Sequence, residues 1–337
     1  MNSSFFDQYQ RPIIGAILLS LILVLIIAAG QGAMELDWRN LFQADSMEYY
    51  IVWNIRVPRI LAALLVGGAL ALSGAIMQGL FRNPLVEPGI IGVSSGAALF
   101  AALAIVLGTH LIPTLFSQLG DYALPIAACI GGWLITSLLY LFSRNTRGIS
   151  ISSMLLIGIA INAFTGALIG LLTFIADETE LRSLTFWSMG SLSSFNYEKL
   201  TILVVVQIII LPLLWRRAKA MNAMLLGERE AKHLGVNVER LKREQIWGVA
   251  IITGTAVAFS GGIGFIGLLI PHLIRMVFGA DNRFVLPFSY LFGGILLIIA
   301  DSFSRTIAGN SEVPIGILTA FIGAPFLAYL VYRQGRG

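Results

Sequence analysis

The chain has 337 residues, 57% of them hydrophobic and 12% charged, with 22 Lys and Arg against 18 Asp and Glu. Soluble domains carry about 25% charged residues, so this composition excludes an ordinary soluble domain and places the chain in a bilayer. The isoelectric point near 9.3 and the mean hydropathy of +0.85 turn the positive excess into a question of position along the chain, not a sign of a nucleic-acid partner.

Ten apolar runs approach the roughly 20 residues that a bilayer requires. The first, 12–30, follows Arg11 and is read as a retained helix, with cleavage near Ala29 as the alternative. The second, 57–80, opens on Arg56-Val57-Pro58-Arg59 and ends at a polar break, Arg82-Asn83-Pro84-Leu85. The third, 89–112, carries His110 at its outer end, and the fourth, 124–142, holds the lone Cys129. A single cysteine forms no disulfide within one chain, so Cys129 is read as a packing residue. The fifth run, 153–176, places Gly158, Asn162, Gly166 and Gly170 at four-residue spacing. That pattern marks close helix packing, with a pathway wall as the alternative.

Between the fifth and sixth runs, 177–199 contains Phe186-Trp187-Ser188-Met189-Gly190-Ser191-Leu192, an apolar patch too short to span and read as a helix on the outer surface. The sixth run is 198–215. The seventh and eighth, 246–262 and 263–279, are separated only by glycines, and His272 and Arg275 follow Pro271 as groups expected to satisfy nearby backbone or polar partners. The ninth, 285–306, contains Asp301 and Arg305, and the tenth, 313–332, opens on Pro314 and Gly316. Ten spans leave no room for a sizeable soluble domain, so residues 1–337 form one transmembrane domain. Glycine and proline breaks at membrane depth persist only where they are buried in protein or line a cavity, which favours a transport domain over an anchor or a non-transporting receptor.

With both termini inside, 16 of the 22 basic residues are cytoplasmic: Arg11, Arg82, Arg144, Arg147, Arg216, Arg217, Lys219, Arg229, Lys232, Arg240, Lys242, Arg243, Arg275, Arg283, Arg333 and Arg336. The other 6 are Arg39, Arg56, Arg59, Arg182, Lys199 and Arg305. This is the sense expected of a membrane protein. Arg56, Arg59 and Arg305 then stand at the outer surface. Either they snorkel to water, or they form a cationic rim for the carboxylates of an external partner. Asp301, four residues before Arg305, offers a local pair instead.

Residues 216–245 carry eight basic and four acidic residues in thirty. Gly227 and Gly235 read as helix stops, giving two short cytoplasmic helices. Met221, Met224, Leu225 and Leu226 are expected to be exposed there. Such helices are marginal unless something packs on them, so the segment reads as a handle for a cytoplasmic partner. No G-x-x-x-x-G-K-[ST] phosphate loop occurs around any of the four lysines, so ATP chemistry is expected on another polypeptide. Metal, nucleophile and paired-carboxylate patterns are not found, so neither a catalytic residue nor a cofactor of this chain is expected. A proton-coupled carrier, the alternative transport class, would need midplane carboxylates, and only Asp301 comes close.

The order of these blocks resembles the FecCD family of importer permeases for iron chelates, heme and cobalamin. The likeness runs from Pro12 to Arg333. It rests on Arg56–Arg59, Gly79–Gly92, Phe186–Ser191, Gly264–Leu268 with Pro271–Arg275, Ala300-Asp301 with Arg305, and Glu312–Gly316 through Gly323–Pro325. The resemblance implies an all-α permease fold of about ten transmembrane helices in the bacterial cytoplasmic (inner) membrane. It implies a homodimer with the pathway at its interface, two ATPase subunits carrying Mg-ATP below, and a substrate-binding protein above. Arg56, Arg59 and Arg305 would dock the binding protein. Gly227, Glu228, Arg229, Glu230, Ala231, His233, Leu234 and Gly235 would contact the ATPase. Asn83, Pro84, Leu85, Ser150, Ser152, Asn162 and Gly166 would lie at the gate or along the pathway.

Overall fold

The computed structural model of the protein describes residues 3–32, 34, 37–43, 45–145, 148–308 and 311–334; Arg147 and Arg336 of the charge count lie outside these residues. Thirteen helices organise the described chain. In order they are α1 (Ser3–Gly30), α2 (Met47–Phe81), α3 (Val93–Leu111), α4 (Pro113–Ser143), α5 (Ile151–Ile175), α6 (Glu178–Met189) and α7 (Tyr197–Trp215). They continue with α8 (Ala218–Leu225), α9 (Glu228–His233), α10 (Val238–Ser260), α11 (Ile266–Phe278), α12 (Asn282–Thr306) and α13 (Ile315–Gln334). Each of the ten apolar runs falls on one of these helices. Among the described residues, α2, α3, α4, α5, α7 and α12 are long and apolar enough to cross a membrane. A two-residue antiparallel pair, Arg144–Asn145 with Gly148–Ile149, joins α4 to α5.

Helix α2 is the axis of the fold. Ala62, Ala63, Val66, Ala69, Ala71, Leu72, Ala75, Ile76 and Met77 are fully buried along it, which an apolar helix achieves only when surrounded by others. It packs most extensively on α12, then on α11 and α10. Small residues permit this approach. A Cβ on Gly67 would run into the Gly293 carbonyl of α12, and one on Gly74 into the Gly267 carbonyl of α11. Gly96 of α3 and Gly131 of α4 oppose each other in the same way, and Gly158 of α5 lies against the Ile90 carbonyl. In lipid, where apolar surface gains nothing by leaving the solvent, such contacts carry helix association.

The glycine boundary between the seventh and eighth runs is a true break. Helix α10 ends at Ser260, Gly261 turns at φ +71°, and Phe265 holds a left-handed φ of +67° before α11 begins. The tail of α6 fills this break. Gly262 N donates to Trp187 O (3.2 Å), Ser191 N to Ser260 O (2.8 Å), and Ile315 N to Gly190 O (3.3 Å). The segment expected to rest on the outer surface begins as a helix without buried residues, with an Asp177–Glu180 capping box. Its far end is stitched into the bundle, supplying partners to backbone that the missing helical turn leaves open.

Gly74→Ala is expected to collapse the yield of monodisperse protein in fluorescence-detected size exclusion, because the added methyl meets backbone that has no rotamer to yield. Overpacking of this kind costs ~1–3 kcal/mol or more. Gly166→Ala is the matched control, since nothing lies within 4 Å of a Cβ placed there, and it is expected to behave as wild type.

Candidate functional site

The 25 residues Val57–Phe81 of α2 cover about 37 Å, and a polar cluster sits at each end. At the first end, Arg56 and Arg59 lie one turn apart and face Asp301 and Arg305 on α12. Arg59 donates from Nε to Asp301 Oδ1 (2.8 Å) and, as a fork, to Glu312 Oε1 (2.6 Å) and Oε2 (3.0 Å). Arg305 Nε lies 3.1 Å from Asp301 Oδ2, so the local i, i+4 pair is present. Its terminal nitrogens donate to Gln31 O (3.0 Å) and Ala28 O (3.3 Å). Arg56 donates to Ala29 O (2.8 Å), Gly30 O (3.1 Å) and Met34 O (2.8 Å).

The last carbonyls of α1 have no helical partners, and their partial negative charge attracts cations. Arg56 and Arg305 together satisfy that terminus. Gly32 is required beside them, because a Cβ there would lie 2.6 Å from Arg56 Nη2. This geometry corrects the expectation of an open cationic rim. Arg56, Arg59 and Arg305 are 4%, 4% and 7% exposed, and their donors serve groups of the same chain. The physical reason is the cost of burying a guanidinium without acceptors, which the α1 carbonyls, Asp301 and Glu312 remove.

At the other end of α2, α8 and α9 fold back under the bundle. Met221 and Met224 are fully buried, which corrects the expectation of their exposure, whereas Leu225 is half-buried and Leu226 is exposed as expected. Gly79 has no side chain, which leaves room for Met221; a Cβ there would approach Met221 Cε to 2.9 Å. Gly227 and Gly235 do stop the two helices, at φ +120° and +82°. Of the residues expected to contact an ATPase, Arg229, Glu230, His233, Leu234 and Gly235 are exposed, whereas Ala231 is fully buried and Glu228 is turned inward onto Lys242 (2.8 Å). Helix α8 is tied to α10 by Arg217, whose fork meets Glu244 at 2.6 and 2.9 Å, with Arg240 adding 2.8 Å. The hydrogen bond from Arg217, aided by Arg240, holds the Glu244 carboxyl down at about 2. That tie contributes above the usual carboxylate range and is lost only as the pH falls toward 2. Arg275 finds the nearby partners expected of it, Ala75 O (3.0 Å) and Asn282 Oδ1 (3.2 Å).

The polar break after α2 is a compact turn at this same end. Arg82 takes a left-handed φ of +50°, and Asn83 Oδ1 accepts from Leu85 N (3.0 Å). Asn83 and Pro84 are half-buried and Leu85 is exposed. Ser150 caps α5 by accepting from Ser153 N (3.2 Å), while Ser152 faces outward. Along α5, Asn162, Gly166 and Gly170 are exposed, and neither Gly166 nor Gly170 has anything within 4 Å of a Cβ. Close packing holds at Gly158 alone of this set. Phe164 and Phe174 on α5 and Phe321 on α13 are also exposed.

With this geometry in view, the comparisons are direct. The model of the FecCD transport family matches residues 18–333. The chain belongs to the FecCD transport family. It is 43% identical to a hemin transport system permease protein of Yersinia pestis, over 96% of both chains. It is 38% identical to a molybdate import system permease protein of Haemophilus influenzae, over 98% of both. A vitamin B12 import system permease protein of Vibrio cholerae shares 37% identity over 88% of this chain and 87% of its own. A solved inward-facing structure of a metal-chelate type ABC transporter superposes with a TM-score of 0.85 and 37% identity, over 96% of this chain and 99% of that one. The protein is thus a multi-pass membrane permease of an ABC transporter, a FecCD subunit that is not itself the ATPase.

Lys242, Glu239 and Glu312 were not singled out by sequence, although Glu312 opens a family block and Lys242 is one of only four lysines.

Removing Arg59 takes the 2.8 Å partner from buried Asp301 and leaves Arg305 at 3.1 Å as its counter-charge, so Arg59→Ala is expected to lower stability by ~1.5–3 kcal/mol. Glu312→Gln, at a carboxylate whose side chain is 47% exposed, is expected to cost ~1 kcal/mol or less. Thermal unfolding of the two variants in detergent checks the order; equal shifts would show that burial of the pair does not set its strength.

Proposed function

We propose that the chain is the membrane subunit of an ATP-driven importer for a metal chelate in the bacterial cytoplasmic membrane, with heme or a ferric siderophore as cargo. Two copies enclose the pathway, a pair of ATPase subunits carries Mg-ATP, and a substrate-binding protein delivers cargo from outside. The observation that carries the dimer is the open face of α5. A helix that leaves Asn162, Gly166 and Gly170 unpacked is suited to a second copy and a polar pathway better than to lipid alone. The exposed part of α9 (Arg229, Glu230, His233), with Leu234 just after it, supports ATPase docking at the Lys242 end.

The 43% identity to a hemin permease supports heme, although the molybdate and B12 permeases follow closely and a pathway for bulky cargo need not carry the selection. At the outer end, a partner's carboxylate reaches Arg59 only by displacing that of Glu312. Alternating access follows when ATP-driven closure of the ATPase pair moves α8 and α9.

Proteoliposomes holding this chain and its ATPase, supplied with binding protein and heme, are expected to accumulate heme on ATP addition and not otherwise. Accumulation driven by a pH gradient, with no ATPase present, would replace this reading with a secondary carrier.

A further inference from the structure

Lys242 stands apart from the other cytoplasmic basic residues. Its side chain is 2% exposed, although it lies in the most charged stretch of the sequence. A buried ammonium persists only when its donors find acceptors. The acceptors come from three different elements. Lys242 Nζ donates to Ile149 O (2.8 Å), in the backbone that leads into α5. It meets Glu228 Oε1 (2.8 Å), the first residue of α9, and Glu239 Oε1 (3.6 Å), one turn back on its own helix.

Glu239 completes the arrangement. Its Oε2 accepts from Ile149 N at 2.8 Å, so α10 grips both polar groups of residue 149. These are main-chain contacts and move with the backbone itself. Ser150, the next residue, caps α5. Gly148 has φ +112°, and a Cβ there would overlap the Glu239 carboxylate; a side chain at 148 and this grip exclude each other.

We propose that Lys242 is the positioning residue that links α9 to the foot of α5, so that displacement of α9 by the ATPase partner reaches the pathway helix through one buried ammonium. The link rests on the function proposed above. Six residues do not hold a helix by themselves. Within α9, Ala231 is buried, and the one ion pair among its described residues runs from Glu228 to Lys242. The outer face of α9 is left to the partner, and its inner face leads to Ile149. The neighbouring tie, Arg217–Glu244–Arg240, joins the residue that opens α8 to α10, and its ion pairs stay within those two elements. It therefore serves as the control.

The test measures heme taken up per ATP hydrolysed, in proteoliposomes of the full complex. A purely structural residue changes the amount of active complex and moves both rates together, leaving the ratio alone. Lys242→Met is expected to hydrolyse ATP within twofold of wild type and to lower the ratio at least tenfold. Glu228→Gln, a near-isosteric change at a half-buried residue, is expected to lower it about threefold and covers the case in which Lys242→Met fails to fold. Glu244→Gln is expected to keep the wild-type ratio. A wild-type ratio in Glu228→Gln, or in a folded Lys242→Met, overturns the link while leaving the importer reading intact. Failure of the wild-type chain to couple uptake to ATP at all overturns that reading first, and is seen in the same assay.

Discussion

A charge removed from water has to be answered inside the protein, and both ends of α2 are organised by that requirement. At one end, three guanidiniums meet two carboxylates and the open carbonyls of α1. At the other, one ammonium gathers a main-chain carbonyl and two glutamates. Neither cluster is a local feature. Arg59 pairs with residues 242 and 253 positions away, and Lys242 reaches 93 positions back to Ile149. These ties fix which helices are neighbours at each end, while glycine contacts along α2 set how closely the helices approach between them.

The same requirement explains which parts of the molecule were legible in the sequence. The helical runs were, because a bilayer imposes a minimum apolar length and every run had to meet it. The stops at Gly227 and Gly235 were legible because positive φ favours glycine, and the Asp301–Arg305 pair because i, i+4 spacing is local. The burial of Arg56, Arg59 and Arg305 was not. Position relative to the membrane assigns a charge to a side, but whether acceptors wait there is settled by tertiary neighbours: the end of α1 for Arg56 and, across 274 and 277 positions, for Arg305, and Asp301 and Glu312 for Arg59. Met221 and Met224 misled for a related reason. A short amphipathic helix reads as exposed until the bundle end that covers it is known, and here the space comes from an absent side chain at Gly79.

The two clusters also divide the labour of a transporter. The Arg59 end is tightly paired and holds α1, α2, α12 and the approach to α13 together. The Lys242 end combines the exposed outer face of α9 with a buried tie to the foot of α5, the helix whose own face is left unpacked. The close packing of α2 on α12 and the unpacked face of α5 suit the alternating access proposed above, because interfaces with discrete arrangements shift as units.

The central claim is that α5 of two copies borders an ATP-gated pathway. With Cys129, the only cysteine of the chain, replaced by serine, a single spin label at Gly166→Cys measures the distance between the two copies in the assembled transporter. The account predicts a well-defined intersubunit distance that changes when ATP is trapped on the ATPase pair. The absence of any intersubunit signal in the active complex, or one distance indifferent to nucleotide, would contradict it.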